Sequence, residues 1–266
     1  FEAFKSIHDK HAFERDFPTL EAGEGVMGFF ISQDDIQGVA ALIDGKPVGS
    51  NFISFTDPVA GVGPITVDPE RQERGIGRAL MNAVLDAARE RGVEKIRLMQ
   101  DSFNSRSLSL YASLGFDVRE PIALMQAAPV NVAANAAIRP ASAEDVPAMD
   151  ALCIEKYKVS RGNEIGKAIA YGFSPLVAER GGKITGYLIP GFLGHGAAET
   201  VDDAAALAGE VGKLPAHNAK FFCPLREAEL YRRLLADRHR VMKVMTLMSL
   251  GPYDAPDGVW MPSVLY

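Results

Sequence analysis

Two glycines bracketed by arginines, in the run Gln72-Glu73-Arg74-Gly75-Ile76-Gly77-Arg78, stand where a helix is about to begin. Leu80, Val84, Leu85 and Ala88 follow at helical spacing, and Gly92 is placed to end that helix. The first turn of a helix leaves N–H groups unpaired and carries a partial positive charge, so it attracts anions. Glycine lets phosphate oxygens approach the backbone where a Cβ would obstruct them. An ATP-type phosphate loop is excluded, because Gly77 is followed by Arg78-Ala79 and not by Lys-Ser/Thr. The dinucleotide fingerprint is excluded as well, because Leu80 stands where a third glycine or alanine is needed. His8 and His11 are three apart on an expected helix, but no third ligand accompanies them, so no metal is expected.

The elements that must position this run can be read from periodicity. A helix is expected over 1–11, with Phe1, Phe4, Ile7 and His8 on one stripe, then a loop at 13–18 and a second helix over 21–31. Strands follow at 39–43 and 48–55, joined at Asp44-Gly45, a pair that suits a tight hairpin turn. A third strand is expected over 60–67, with Ile65 and Val67 two apart, before Asp68-Pro69 breaks it. After the glycine helix come a strand at 95–100, a helix at 104–114 closed by Gly115-Phe116, and a strand at 117–125. The helix between the strands at 60–67 and 95–100 makes them parallel neighbours. The fold class is α/β, with a mixed sheet flanked by helices.

The bulk numbers narrow the partners. With 266 residues, 47% hydrophobic and 23% charged, the chain suits a globular protein of one large or two smaller domains. A net charge of −6 argues against a nucleic-acid face, and no apolar run approaches the length of a membrane span. Cys153 and Cys223 lie far apart and without metal-ligand spacing, which suits free buried thiols and a cytoplasmic location.

Gln72-Glu73-Arg74-Gly75-Ile76-Gly77 resembles the Gln/Arg-x-x-Gly-x-Gly/Ala signature of the GCN5-related N-acetyltransferases. Asn104-Ser-Arg-Ser-Leu-Ser-Leu-Tyr111-Ala-Ser-Leu-Gly-Phe116 is similar to the same family's Asn-x-x-Ala/Ser-x-x-Leu-Tyr-x-x-x-Gly-Phe segment. The resemblance covers 1–127 apart from the family's first strand, and residues ahead of Phe1 are expected to supply it. Residues 128–137 read as a linker. From Ile138-Arg-Pro-Ala-Ser-Ala-Glu-Asp-Val146 onward the pattern repeats: Ser142 caps a helix, a hairpin follows at 175–187, Phe221-Phe-Cys-Pro224 is a strand, and Leu230-Tyr231 lines up with Leu110-Tyr111. The chain therefore looks like a tandem, with an acetyl-coenzyme A-binding domain at 1–127 and a degenerate copy at 138–266. Where the second glycine loop should fall stands Gly194-His-Gly-Ala-Ala-Glu-Thr-Val-Asp-Asp203.

The resemblance implies direct transfer of an acetyl group from acetyl-coenzyme A to an amine, with no metal. It implies that Gln72, Glu73, Arg74, Gly75, Ile76, Gly77 and Arg78 hold the pyrophosphate, that the edge formed by Ile65, Thr66 and Val67 pairs with the pantetheine amides, and that Asn104 and Ser107 assist. Tyr111 is the expected acid for the leaving thiolate. The base stays open among Asp101, His8, His11 and Asp16. The expected acceptor is a small-molecule amine. The apolar closing segment 259–266 is expected to dock within the chain or across a homodimer. A non-catalytic acyl-coenzyme A sensor on the same scaffold is the alternative.

Overall fold

The computed structural model describes residues 1–130 and 136–266. The chain opens with α1 (Glu2–His11), ended by Ala12 in the left-handed region, and α2 (Leu20–Ile31), whose first turn is capped by the Thr19 hydroxyl accepting from the Ala22 N–H at 3.3 Å. The hairpin β1 (Ile36–Ile43) and β2 (Lys46–Ser54) turns at Asp44 and Gly45, both at positive φ (50° and 74°), as Asp-Gly requires. Then come β3 (Ala60–Val62), β4 (Thr66–Val67), a 3-10 turn at Pro69–Arg71, α3 (Ile76–Glu90), β5 (Ile96–Asp101), α4 (Ser105–Ser113) and β6 (Asp117–Gln126).

The later half runs β7 (Ala137–Pro140), α5 (Val146–Tyr157), α6 (Gly162–Ala170), β8 (Leu176–Arg180), β9 (Lys183–Leu188), β10 (Gly196–Ala198), α7 (Val201–Val211), β11 (Lys220–Pro224), α8 (Ala228–Ala236), β12 (Arg240–Leu250) and β13 (Val259–Met261). Of the linker expected at 128–137, residues 131–135 lie outside the described residues, and Ala137 already belongs to β7.

The chain divides into two compact units. The first is Phe1–Val118 with Met248–Pro252, and the second is Arg119–Leu247 with Tyr253–Tyr266. In the first unit the strands run β1-β2-β3-β5, followed by the end of β12. The apolar stripe of α3, with Met81, Val84, Leu85 and Ala88, packs on this sheet together with Ile53, Leu98, Phe116 and Met248. In the second unit β12, β6 and β11 follow in that order, and a five-stranded sheet runs β13-β10-β9-β8-β7. Its core joins Ala204, Leu207 and Ala208 of α7 to Ala178, Leu188, Phe221 and Leu230. The alanines let α7 lie close on its sheet, where larger side chains would hold it off. The closing segment docks within the chain: β13 pairs with β10, Trp260 is fully buried, and Arg161 donates to the Tyr266 carbonyl oxygen at 2.9 Å.

One expected strand is two. The peptide between Gly63 and Pro64 is cis, and Pro64 has no N–H to continue a ladder. β3 pairs in parallel with β5, Ala60 opposite Ile96 and Gly61 opposite Arg97. β4 lies off that path, paired with β2 through Gly49–Val67 and Ser50–Thr66. Ile65 precedes the two-residue β4 and is not part of the ladder. The chain thus parts from β5 after β3, and β4 is held on its other side.

Candidate active site

The carboxyl end of β4, the start of α3, the carboxyl end of β5 and the start of α4 converge in the first unit. Ligands of open α/β sheets settle at such carboxyl ends. Gly75 stands at φ 78° as the residue before α3, a left-handed conformation that a side chain would strain, and an added Cβ there would meet nothing within 4 Å. The N–H groups of Ile76, Gly77 and Arg78 form the first turn, where no intrahelical acceptor is available. At Gly77 an added Cβ would touch Leu110 at 3.4 Å, so this glycine also serves the close approach of α3 and α4.

The rest of the glycine run is tied to its neighbours. Arg106 of α4 donates to Gln72 Oε1 and Glu73 Oε1, both at 2.7 Å, and Arg78 donates to Ser113 Oγ at 2.8 Å. Gln72 reaches the Val67 carbonyl at 3.4 Å, which links the loop to β4. Thr66 is fixed from β2 by the 2.9 Å contact between its hydroxyl and that of Ser50. Arg74 sits between these clamps, exposed. The Arg106 clamp escaped the sequence reading, because only the fold brings Arg106 beside residues 33 and 34 positions earlier.

Asn104 caps α4: its side-chain oxygen accepts from the Ser107 N–H at 3.2 Å. That oxygen is therefore committed to the helix, a role the expected ligand contact did not include. Tyr111 lies one helical turn beyond Ser107, buried against Phe116. Burial pushes its phenol up to about 12; a hydrogen bond with Ser107 opposes this and the Asp101 charge adds to it. A phenol so placed stays protonated at neutral pH and is a donor.

The structure also gathers three of the four base candidates. His8 on α1 is fully buried, and its Nε2 lies 3.5 Å from Asp16 Oδ2 and 3.4 Å from Asp101 Oδ2. Its Nδ1 lies 2.8 Å from the Phe4 carbonyl oxygen. A carbonyl only accepts, so Nδ1 carries a hydrogen and Nε2 faces the two carboxylates. His11 is not part of this group; its ring lies 5.1 Å from that of Phe103, which stacks on Phe13 at 4.4 Å and 10°. These residues are about 90 positions apart in sequence, and no periodicity links them.

In the second unit the residues singled out in the sequence are engaged with their own neighbours. The Thr200 hydroxyl accepts from the Asp203 N–H at 3.2 Å at the start of α7, and the Asp203 carboxylate accepts from Arg180 at 2.6 Å. His195 is buried, hydrogen-bonded to the Tyr187 hydroxyl at 2.9 Å, and burial holds its imidazole well below the usual range. Gly194 and Gly196 are packing glycines, since an added Cβ would come within 1.9 Å and 2.5 Å of backbone carbonyl oxygens. Tyr231 packs partly buried on the core. Cys153 and Cys223 are buried thiols, the first pushed up to about 12 and the second higher still. Neither offers a thiolate nucleophile.

A parted strand pair, a glycine-begun helix and a capped helix carrying a buried tyrosine thus meet in the first unit. Residues 4–116 match the model of the acetyltransferase (GNAT) family. The chain is 38% identical over 74 residues to a mycothiol acetyltransferase of Beutenbergia cavernae, covering 27% of this chain and 25% of that protein. It is 33% identical over 102 residues to an uncharacterized N-acetyltransferase of Methanocaldococcus jannaschii, covering 36% and 41%. The matched stretch thus spans between a quarter and two-fifths of these relatives. A Pyrococcus horikoshii protein classed as an acetyltransferase shares the fold over 94% of this chain and 86% of its own, with TM-score 0.78 and 17% identity. An Anabaena variabilis GCN5-related N-acetyltransferase covers 86% and 65%, with TM-score 0.55 and 14% identity. Among the described residues, no helix is long and apolar enough to cross a membrane.

Proposed function

We propose that this protein transfers an acetyl group from acetyl-coenzyme A to an amine of a small molecule, and that the first unit carries the reaction. The parting of β4 from β5 beside the glycine-begun α3 is the observation that supports this reading most directly. An edge that bonds no neighbouring strand on the β5 side can pair with pantetheine amides by strand addition, and the α3 amides can take the pyrophosphate. Arg74 and Arg78 add positive charge there. An edge N–H near Val67 would stabilise the oxyanion that forms as the amine attacks. Tyr111 would give its proton to the departing thiolate, and regain one from the nitrogen as the amide forms.

Residues 1–127 are, on this reading, a catalytic domain, and 138–266 a degenerate copy. Two observations support the second half of that statement. The start of α7 is capped by its own threonine and occupied by its own aspartates, and an anion would meet Asp202 and Asp203 there. The cytoplasmic location and the possibility of a homodimer belong to the same proposal.

Calorimetric titration with acetyl-coenzyme A tests it. One site per chain, abolished in Gly75→Glu, is the expected result. Two sites would remove the degenerate copy from the reading, and an unaltered titration in Gly75→Glu would remove the cofactor site from α3.

A further inference from the structure

We infer that β13, the strand of the closing segment, stands in the second unit where the first unit takes the pantetheine arm. The second half of the chain thus carries its own occupant at the edge where a coenzyme would lie. The inference rests on the acetyltransferase reading of the first unit and gives a physical reason why the second takes no cofactor.

Element order sets up the comparison. In the first half a hairpin of β1 and β2 leads through short strands ending in β4 to α3, β5 and α4. In the second half a hairpin of β8 and β9 leads through the short β10 to α7, β11 and α8. β10 therefore corresponds to β4, α7 to α3 and β11 to β5. β13 has no counterpart among the described elements of the first half.

Hydrogen-bond parity matches the two edges. Along an antiparallel strand, alternate residues turn their N–H and C=O groups to opposite sides. The Asp68 N–H donates to the Val48 carbonyl oxygen of β2 at 2.8 Å, so Val67, one residue earlier, turns its N–H away from β2. In the second unit the His195 carbonyl accepts from the Ile189 N–H at 2.9 Å, and the Glu199 N–H donates to the Thr185 carbonyl at 2.7 Å. His195 and Glu199 therefore face β9, and Gly196 and Ala198 turn away from it, as Val67 turns from β2. On that side they meet β13, Gly196 opposite Met261 and Ala198 opposite Val259. The edge that the first unit is proposed to offer a ligand is here closed by the chain itself.

β13 also fills the space beyond the edge. β10 and β11 belong to different sheets, and β13, paired with β10, packs against β11 as well. Val259 and Met261 share a core with Ala198 of β10 and with Phe221 and Cys223 of β11. Trp260, fully buried, meets Tyr157 of α5 edge to face at 5.1 Å and 80°. Polar anchors fix the segment from the helices ahead of the hairpin. The Tyr157 hydroxyl donates to the Met261 carbonyl oxygen. Arg161, the residue before α6, donates to Ser263 Oγ and to the Tyr266 carbonyl oxygen, each at 2.9 Å. A pantetheine arm would bring amides and a slender apolar chain to such an edge, and β13 brings backbone amides and apolar side chains.

Amide hydrogen exchange in the full chain, resolved to single residues, tests the inference with pantetheine as the probe. Pantetheine lacks the pyrophosphate that Asp202 and Asp203 at the start of α7 would repel. In the wild type it should slow the Val67 amide about tenfold and leave Ala198, already slow, unchanged. Val259→Pro removes an N–H from the β10 ladder and should speed Ala198 exchange about tenfold. Excess pantetheine should then return Ala198 of this variant to slow exchange. Met261→Ala, which loosens β13 through a cavity and adds no proline, repeats the comparison if thermal melting shows Val259→Pro unfolded. Protection of Val67 with Ala198 left fast overturns the inference and keeps the acetyltransferase reading. Protection of Ala198 in the variant with Val67 never slowed keeps the edge assignment and removes that reading. Protection of neither removes both.

Discussion

Tyr111 is a core residue to which the proposal also gives a chemical part. Its ring is part of the first unit's core, and its hydroxyl is held by Ser107 near the end of β5. Replacing it with phenylalanine keeps the packing and removes the proton. Tyr111→Phe is expected to lower kcat about 100-fold while the affinity for acetyl-coenzyme A, measured by calorimetry, stays within about twofold. A second outcome follows from its protonation. In the folded protein the phenol titrates at about 12, against about 10 in the unfolded chain. The folded state holds its proton more tightly, so the stability this contributes is complete below pH 10 and is lost as pH rises from 10 towards 12. Stability against urea across that interval should fall less steeply for Tyr111→Phe than for the wild type. Tyr111 was legible from its spacing to Asn104 and Gly115-Phe116, all within one helix and its ends. The neighbourhood of His8 was not, because α1 and the end of β5 meet only once the sheet is formed.

At the scale of elements, the parting of β4 from β5 depends on how closely β4 lies on β2. Gly49 permits it: a Cβ at this position would stand 2.7 Å from the Thr66 carbonyl oxygen and 3.0 Å from Leu80. Gly49→Val is expected to cost about 1–3 kcal/mol by overpacking and to displace β4. Loss of acetyl-coenzyme A binding well before loss of fold, read by calorimetry beside thermal melting, is the expected pattern. Equal loss of both would mean that β4 has no special part in binding. The hairpin at Asp44-Gly45, the glycine helix and the cap at Asn104 were all readable, since each is decided by neighbours a few positions away. The break at Gly63-Pro64 was carried by a visible proline. Its consequence, a strand that changes partner, depends on β2 and β5 and so had no local signature.

At the scale of the whole molecule, each half of the chain is finished by the other. Met248 lies fully buried in the first unit's core and Leu250 packs against it, although both belong to β12. At Gly251 an added Cβ would strike the Glu94 carbonyl at 2.0 Å, so that close approach requires glycine. A fragment of residues 1–130 contains both family motifs, yet it lacks these core residues. It is expected to unfold with a shallow, poorly cooperative urea transition, and a peptide of residues 240–252 supplied in trans should sharpen it. A steep transition for the fragment alone would show that the first unit is complete without them. β12 was no part of the sequence reading, and its partners are set by topology and not by its own residues.

The path of β12 also sets a clock. The first unit's residues through Val118 leave the ribosome early, but the end of β12 that completes their core, from Met248 onward, follows roughly 130 residues later. At about 5–20 residues per second, translation keeps the nascent first unit waiting on the order of ten seconds. Through that interval the edge of β5 and part of the apolar face of α3 lack their final cover. The first unit is thus begun early and completed late, and its unfinished sheet edge is expected to be open to chaperones during that wait.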